Sequence, residues 1–222
     1  MELPITTKFI ILALDPEKGK VRIDDTYFRY SLCGAILMDF FVNGEISLSE
    51  KRVIPSFRRN GVQWHDICVE RIEKANNNKN IAYWVRNLAR KYRFVFDENI
   101  RQLVNLGIVR HEKKYFLNIF PYNRYYIINP SVREELIMKI RGILLDGKTA
   151  DKELKMIISL IIASRSFRLI ADDRTERRMI KSRCKELTSS DSLANETDLV
   201  IRQVRMAITS TVMAAMASRG VY

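Results

Sequence analysis

Residues 29–44, RYSLCGAILMDFFVNG, are apolar on nearly every side, with Asp39 in the middle and Asn43-Gly44 at the end. A membrane-spanning helix needs roughly 20 apolar residues. This shorter, interrupted run is predicted to be the buried central helix of a soluble domain. Asp24-Asp25-Thr26 offers its N-cap and Gly44 its C-terminal stop. Before it, residues 3–14 are mostly apolar and close at a DPEKGK turn. After it, EISL (45–48) and RVIP (52–55) read as a small hairpin, followed by a basic SFRRNG loop. A helix over about Trp64–Ala75 ends at the polar break NNNKN.

From Ile81 the period is helical. Ile81, Trp84, Val85, Leu88 and Tyr92 share one face, and Arg86, Arg90 and Arg93 form a basic ridge on another. A second helix is expected over 97–106, stopped by Gly107. Residues 108–120 then read as strand, charged RHEKK turn and strand, and YNRYYIINP continues extended. Ser131 with Glu134 suggests a capping box for a helix to about Leu144. ELKMIISLIIASRSFRLI (153–170) is a second strongly apolar helix, and Lys155 and Arg165 argue against a span. DDRTERRMIKSRCKEL (172–187) is a charged amphipathic helix, and 188–198 a loop. The last helix, about Leu199–Ser218, carries Val200, Val204, Ile208, Val212 and Met216 at near four-residue steps. With no repeat and no linker, residues 1–222 are read as a single domain.

Composition adds a charge argument. The chain has 222 residues, 47% hydrophobic and 29% charged, which is globular rather than disordered. Its net charge of +12 favours anionic partners, either nucleic acid or an anionic membrane face. Cys33, Cys68 and Cys184 are far apart and odd in number, so a reducing, cytoplasmic setting is expected. FIILAL (9–14) is too short for a signal peptide, so no targeting or transmembrane segment is expected.

Catalytic motifs are missing. There is no phosphate loop, no dinucleotide fingerprint and no nucleophile elbow. His65 lies beside Asp66, which could orient its ring, and His111 falls on the expected hairpin turn. Neither has a nucleophile in a recognisable context. Asp172-Asp173 reads as a helix N-terminus rather than a metal site. The sequence therefore points to no enzyme, no cofactor and no metal.

Two binding readings remain. Residues 85–120 run helix, helix, turn and charged hairpin, as a winged-helix DNA-binding domain does. The second reading rests on ordered motifs: ITTKFIILALDPEKGK, LCGAILMDFFVNGEISL, LVNLGIVRHEKKYFLNIF, VREELIMKIRGILLD and DKELKMIISLIIAS. In these the chain resembles the Golgi phosphoprotein 3 family, as a divergent, bacterial-type member. The resemblance implies a mainly α single domain, a central hydrophobic helix ringed by amphipathic helices, and a projecting β-hairpin. It also implies a non-catalytic adaptor, peripheral on the cytosolic membrane face, that binds phosphatidylinositol 4-phosphate or another anionic lipid through a basic pocket. Self-association through the hairpin, 108–120, is implied as well, and a scaffold that self-associates there without binding lipid is a third reading. In that register Asp24 and Cys33 stand where lipid-binding relatives keep Trp and Arg. Arg93 matches the first of a spaced Arg pair, and Phe96 replaces the second. The candidate headgroup-binding residues are thus Arg93, Arg90 and Arg86, since guanidinium suits phosphate oxygens. For the ridge, a solvated helix face is the competing reading. For Tyr115, Phe116, Tyr122, Tyr125 and Tyr126, packing of the hairpin outweighs an interfacial role.

Overall fold

In a computed structural model the described residues are 3–49, 52–56, 61, 63–75, 79–171, 173–189 and 195–218. Among them are nine α-helices and two separate antiparallel hairpins, so the chain is mainly α. The central helix α2 (Asp25–Val42) packs against α1 (Ile5–Ala13), α4 (Ile81–Leu88), α7 (Lys152–Ala163) and α9 (Glu196–Ala217). The remaining helices are α3 (Gln63–Lys74), α5 (Tyr92–Asn105), α6 (Ser131–Asp146) and α8 (Arg174–Ser189). Strands β1 (Ile46–Ser49) and β2 (Arg52–Pro55) pair as the sequence suggests. Most of the expected SFRRNG loop and of the NNNKN break lies outside the described residues.

Asp24 caps α2, its Oδ1 accepting from the Thr26 N–H at 2.9 Å. Asp39, the interruption in the apolar run, is buried, yet it has a structural task. Its two carboxylate oxygens accept the N–H groups of Ile5 and Thr6 at 2.7 and 2.9 Å. The central helix thereby supplies the cap that α1 lacks locally, since Pro4 cannot provide one. Burial pushes the Asp39 carboxyl up to about 6, against the lowering effect of those hydrogen bonds and of His65.

Gly34 lets α9 cross close to α2. A Cβ there would sit 2.5 Å from Ile208 Cδ1 and 2.9 Å from Val204 Cγ1. By length and composition α9 could cross a membrane, and 39% of its most apolar window is buried. Val200, Val204, Ile208 and Val212 are nonetheless buried in the common core, as their spacing predicts.

Three local expectations change. The helix starting at Ile81 stops at Leu88, and the chain turns through Ala89, Arg90 and Lys91 before α5 begins at Tyr92. Trp84, Val85 and Leu88 keep α4 buried, while the break re-aims the chain so that Val95, Phe96, Asn99 and Ile100 are buried by α5. The Ser131–Glu134 capping box does not form. Ser131 is already helical, and Asn129 Oδ1 accepts from its N–H at 3.2 Å and from its hydroxyl at 2.7 Å. The apolar run from 153 is also helical only to Ala163. Arg165 takes φ +54°, and the rest folds into a short 3-10 turn, Phe167–Leu169.

The larger hairpin is β3 (Val109–Phe116) with β4 (Phe120–Ile127). Its root is tied to the body. The Tyr125 N–H donates to Gly19 O at 2.7 Å, and the Ile128 N–H donates to Ile108 O at 2.9 Å. Gly19 has φ +59°, and a Cβ there would meet the Tyr125 nitrogen at 3.0 Å, so a glycine is required where the loop approaches β4.

Candidate functional site

The hairpin tip differs from the sequence reading. RHEKK lies within β3, with Glu112 paired to Arg124 in register, and the turn is Leu117-Asn118-Ile119. Leu117 and Asn118 both take positive φ, +50° and +57°, as in a type I′ turn, and the Ile119 N–H donates to Phe116 O at 3.2 Å. Asn tolerates this geometry, whereas Leu is strained by it. The strained Leu117 is also exposed. Tyr115, Phe116, Leu117, Ile119 and Phe120 form a contiguous apolar tip, each between 53% and 71% exposed. Scattered apolar surface residues are ordinary, but a clustered patch on a projection marks an interaction site.

Behind the tip the hairpin is basic. Arg110, Lys113, Lys114 and Arg124 outnumber Glu112, which pairs with Arg110 at 3.0 Å and Lys114 at 3.5 Å. Tyrosines hold the cations in place. Arg124 lies 4.5 Å from the Tyr122 ring, Lys114 5.2 Å from Tyr126, and Lys113 5.9 Å from Tyr115. The five aromatic candidates therefore divide. Tyr115 and Phe116 are exposed at the tip. Tyr122 and Tyr126 carry cations. Tyr125 packs inward, 5.3 Å from Phe96 and 5.1 Å from His111.

At the hairpin root a cavity of about 410 Å³ opens between α2, α5 and β4. Phe28, Tyr92, Phe96 and Tyr125 give it an aromatic wall, and Asn123 lies on the strand side. Arg93 is its cation, facing a rim with Asp25 and Asp97. The Arg93 Nε donates to the Tyr92 hydroxyl at 3.1 Å, and that hydroxyl donates to Asp25 Oδ1 at 3.2 Å. The Tyr92 hydrogen bond, with Asp25 and Asp97 nearby, raises the Arg93 guanidinium above its ordinary range, so it stays charged.

Arg93 is the member of the expected ridge that the structure brings to this cavity. Arg86 is exposed on α4 and Arg90 on the α4–α5 turn, and neither lines it. The helix break at Ala89 separates them from Arg93. Phe96 is in the cavity wall, while Asp24 is spent as the α2 cap and Cys33 is buried in the core.

The histidines and cysteines singled out in the sequence have structural surroundings. His65 is buried with Nδ1 3.0 Å from Glu45 Oε2, so Glu45 rather than Asp66 orients its ring. His111 is on strand β3, its Nε2 3.0 Å from Asn123 Oδ1. Desolvation raises all three thiols: Cys184 to about 11, Cys68 to about 12, and Cys33 as well. Such thiols are poor nucleophiles. Asp173 caps α8 through the Glu176 N–H at 2.8 Å, and Asp172 lies outside the described residues. Among the described residues no group of three acidic, Cys or His side chains could hold a metal ion.

A family model described as Golgi phosphoprotein 3 (GPP34) matches residues 5–211. The chain belongs to that family. No curated protein matches it.

Proposed function

We propose that this member of the Golgi phosphoprotein 3 family is a non-catalytic peripheral membrane protein of adaptor type. It docks on an anionic membrane with the hairpin tip inserted and the basic groups behind it at the headgroups. The observation that carries this reading is the exposed apolar tip, Tyr115 to Phe120, backed by Lys113, Lys114 and Arg124. An interfacial element of this kind buries its apolar part about 5–10 Å into the headgroup and acyl boundary.

Strand geometry sets the rest of the depth. At roughly 3.4 Å per residue, Asn123 lies about 10 Å along β4 from Phe120. Asn123 lines the Arg93 cavity, so a seated tip holds that cavity at headgroup level. There Arg93 bonds a phosphate oxygen, while Arg86 and Arg90 add long-range attraction. Each basic group near an anionic surface contributes on the order of 1 kcal/mol. Asp25 and Asp97 oppose a heavily phosphorylated headgroup in the cavity, so general anionic attraction outweighs strict phosphoinositide selection.

The test is flotation of the full chain with neutral, generally anionic and phosphatidylinositol 4-phosphate vesicles at low and physiological salt. Co-flotation with both anionic sets, weakened by salt, is expected. Absence of binding to every vesicle would sink the proposal.

A further inference from the structure

The cavity at the hairpin root presents both signs of charge. Arg93 is exposed on α5, and Asp97 follows one helical turn later, also exposed. Side chains four apart on a helix start about 5–6 Å from one another. Asp25, at the start of α2, is the second carboxylate of the lining. Among the described residues neither carboxylate is in an ion pair, and Asp25 accepts the Tyr92 hydroxyl at 3.2 Å. Arg29 lies 5.5 Å from the Tyr92 ring but outside the lining. In a chain of net charge +12, a cavity lined by two acids and one cation is an exception.

The rest of the wall is aromatic. Phe28 and Phe96 are buried, and Phe96 meets Phe28 and Tyr125 edge-on, with centroids 5.6 and 5.3 Å apart. Aromatic rings attract an ammonium electrostatically, more strongly where water is excluded. Burial raises the Tyr125 hydroxyl, and the nearby Asp97 charge adds to the effect. A negative charge felt at Tyr125 also favours a cation there. Asp25 and Asp97 oppose a polyanion, and Arg93 opposes a bare cation. A guest carrying both signs meets neither repulsion. The volume, about 410 Å³, is at the lower end of small-molecule sites.

We propose that this cavity selects a zwitterionic phosphoamine: a phosphate ester on Arg93, with an ammonium two carbons away held by Asp97 and Asp25 against the aromatic wall. Guanidinium matches the phosphate oxygens, and the two-carbon spacer suits the single helical turn between Arg93 and Asp97. Such groups occur free, as phosphocholine and phosphoethanolamine, and as headgroups of bilayer lipids. For the bilayer source this rests on the membrane docking proposed above.

The test titrates the full chain, labelled on its Phe and Tyr rings, with phosphocholine, phosphoethanolamine, glycerol phosphate and choline, followed by NMR. The two phosphoamines are expected to saturate one site and to shift Tyr92, Phe96 and Tyr125. Glycerol phosphate and choline, each carrying one half of the recognised group, should bind about tenfold more weakly or worse, the loss expected when a charge-assisted contact is missing. Arg93→Gln should weaken the phosphoamines and glycerol phosphate alike. Asp25→Asn/Asp97→Asn should weaken the phosphoamines and strengthen glycerol phosphate, a reversal that simple loss of structure does not produce. Asp97→Asn alone, at an exposed position, serves if the double variant does not fold. Glycerol phosphate or choline binding as tightly as phosphocholine overturns the proposal, as does an order of affinities unchanged by the Asp variants. Flotation on phosphatidylglycerol vesicles with and without phosphatidylethanolamine separates the sources. A gain from phosphatidylethanolamine that the Asp variants lose assigns a bilayer lipid, and no gain assigns the free phosphoamine. Unsaturable phosphocholine with flotation intact sinks this proposal alone, and a saturable cavity without flotation sinks the membrane reading alone.

Discussion

The crossing of α2 and α9 at Gly34 decides whether the last helix belongs to the core, and a single methyl group tests it. In Gly34→Ala the new Cβ would sit 2.5 Å from Ile208 Cδ1 and 2.9 Å from Val204 Cγ1. Carbon atoms prefer separations of about 3.5–4.0 Å. Overpacking of this kind destabilises by about 1–3 kcal/mol. Ala is also a better helix former than Gly, by about 1 kcal/mol. The two effects have opposite signs, and the close approach is expected to win, leaving a net loss of about 1 kcal/mol. Ile208→Val removes the atom in closest conflict and by itself costs about 0.5–1.5 kcal/mol. The double variant should therefore lose less than the two single variants together, with a coupling of about 0.5–1 kcal/mol. Urea denaturation followed by circular dichroism gives these differences, provided the m-values agree. If Gly34→Ala raised stability by the full propensity gain, additively with Ile208→Val, α9 would not pack here, and its length and apolar content would need another explanation.

Other predictions follow from buried and capping groups. The Asp39 carboxyl, raised by burial to about 6, lies above the ~3.9 of an unfolded chain, so between those values the folded state holds the extra proton. The contribution of this group therefore falls as pH rises from about 4 through about 6. Wild-type stability minus that of Asp39→Asn should increase as pH is lowered from neutrality towards 4, and a flat difference contradicts the burial argument. Asn129→Ala should cost about 1 kcal/mol through loss of the two hydrogen bonds its side chain accepts from Ser131 at the start of α6, and Ser131→Ala distinctly less, by thermal or urea denaturation. The reverse order would restore the Ser131 capping box.

Much of the architecture was legible because its signals are local and periodic. The run 29–44 gave α2, with Asp24 and Gly44 marking its ends. The near four-residue steps from Val200 gave the buried stripe of α9. Three features were less legible, each for a physical reason. The break after Leu88 falls in a sequence with good helix formers, and tertiary burial of both Trp84 and Phe96 overrides that propensity. Charge usually marks a turn, which favours RHEKK, whereas here the turn is apolar and strained. Asn118 between two apolar residues was the available signal. The cavity at Arg93 joins α2, α5 and β4, which are remote in sequence, so a ridge drawn along one helix could not reveal it.

The central claim is that the apolar tip seats the protein on a membrane. Phe116→Ser/Phe120→Ser tests it most directly, because both residues are more than 60% exposed and neither packs against the core of the described residues. Fully burying such a side chain is worth about 1.5–3 kcal/mol, so vesicle affinity should fall by about tenfold or more, while the thermal midpoint stays near wild type. Flotation of the variant equal to wild type, on the same anionic vesicles, would contradict the account.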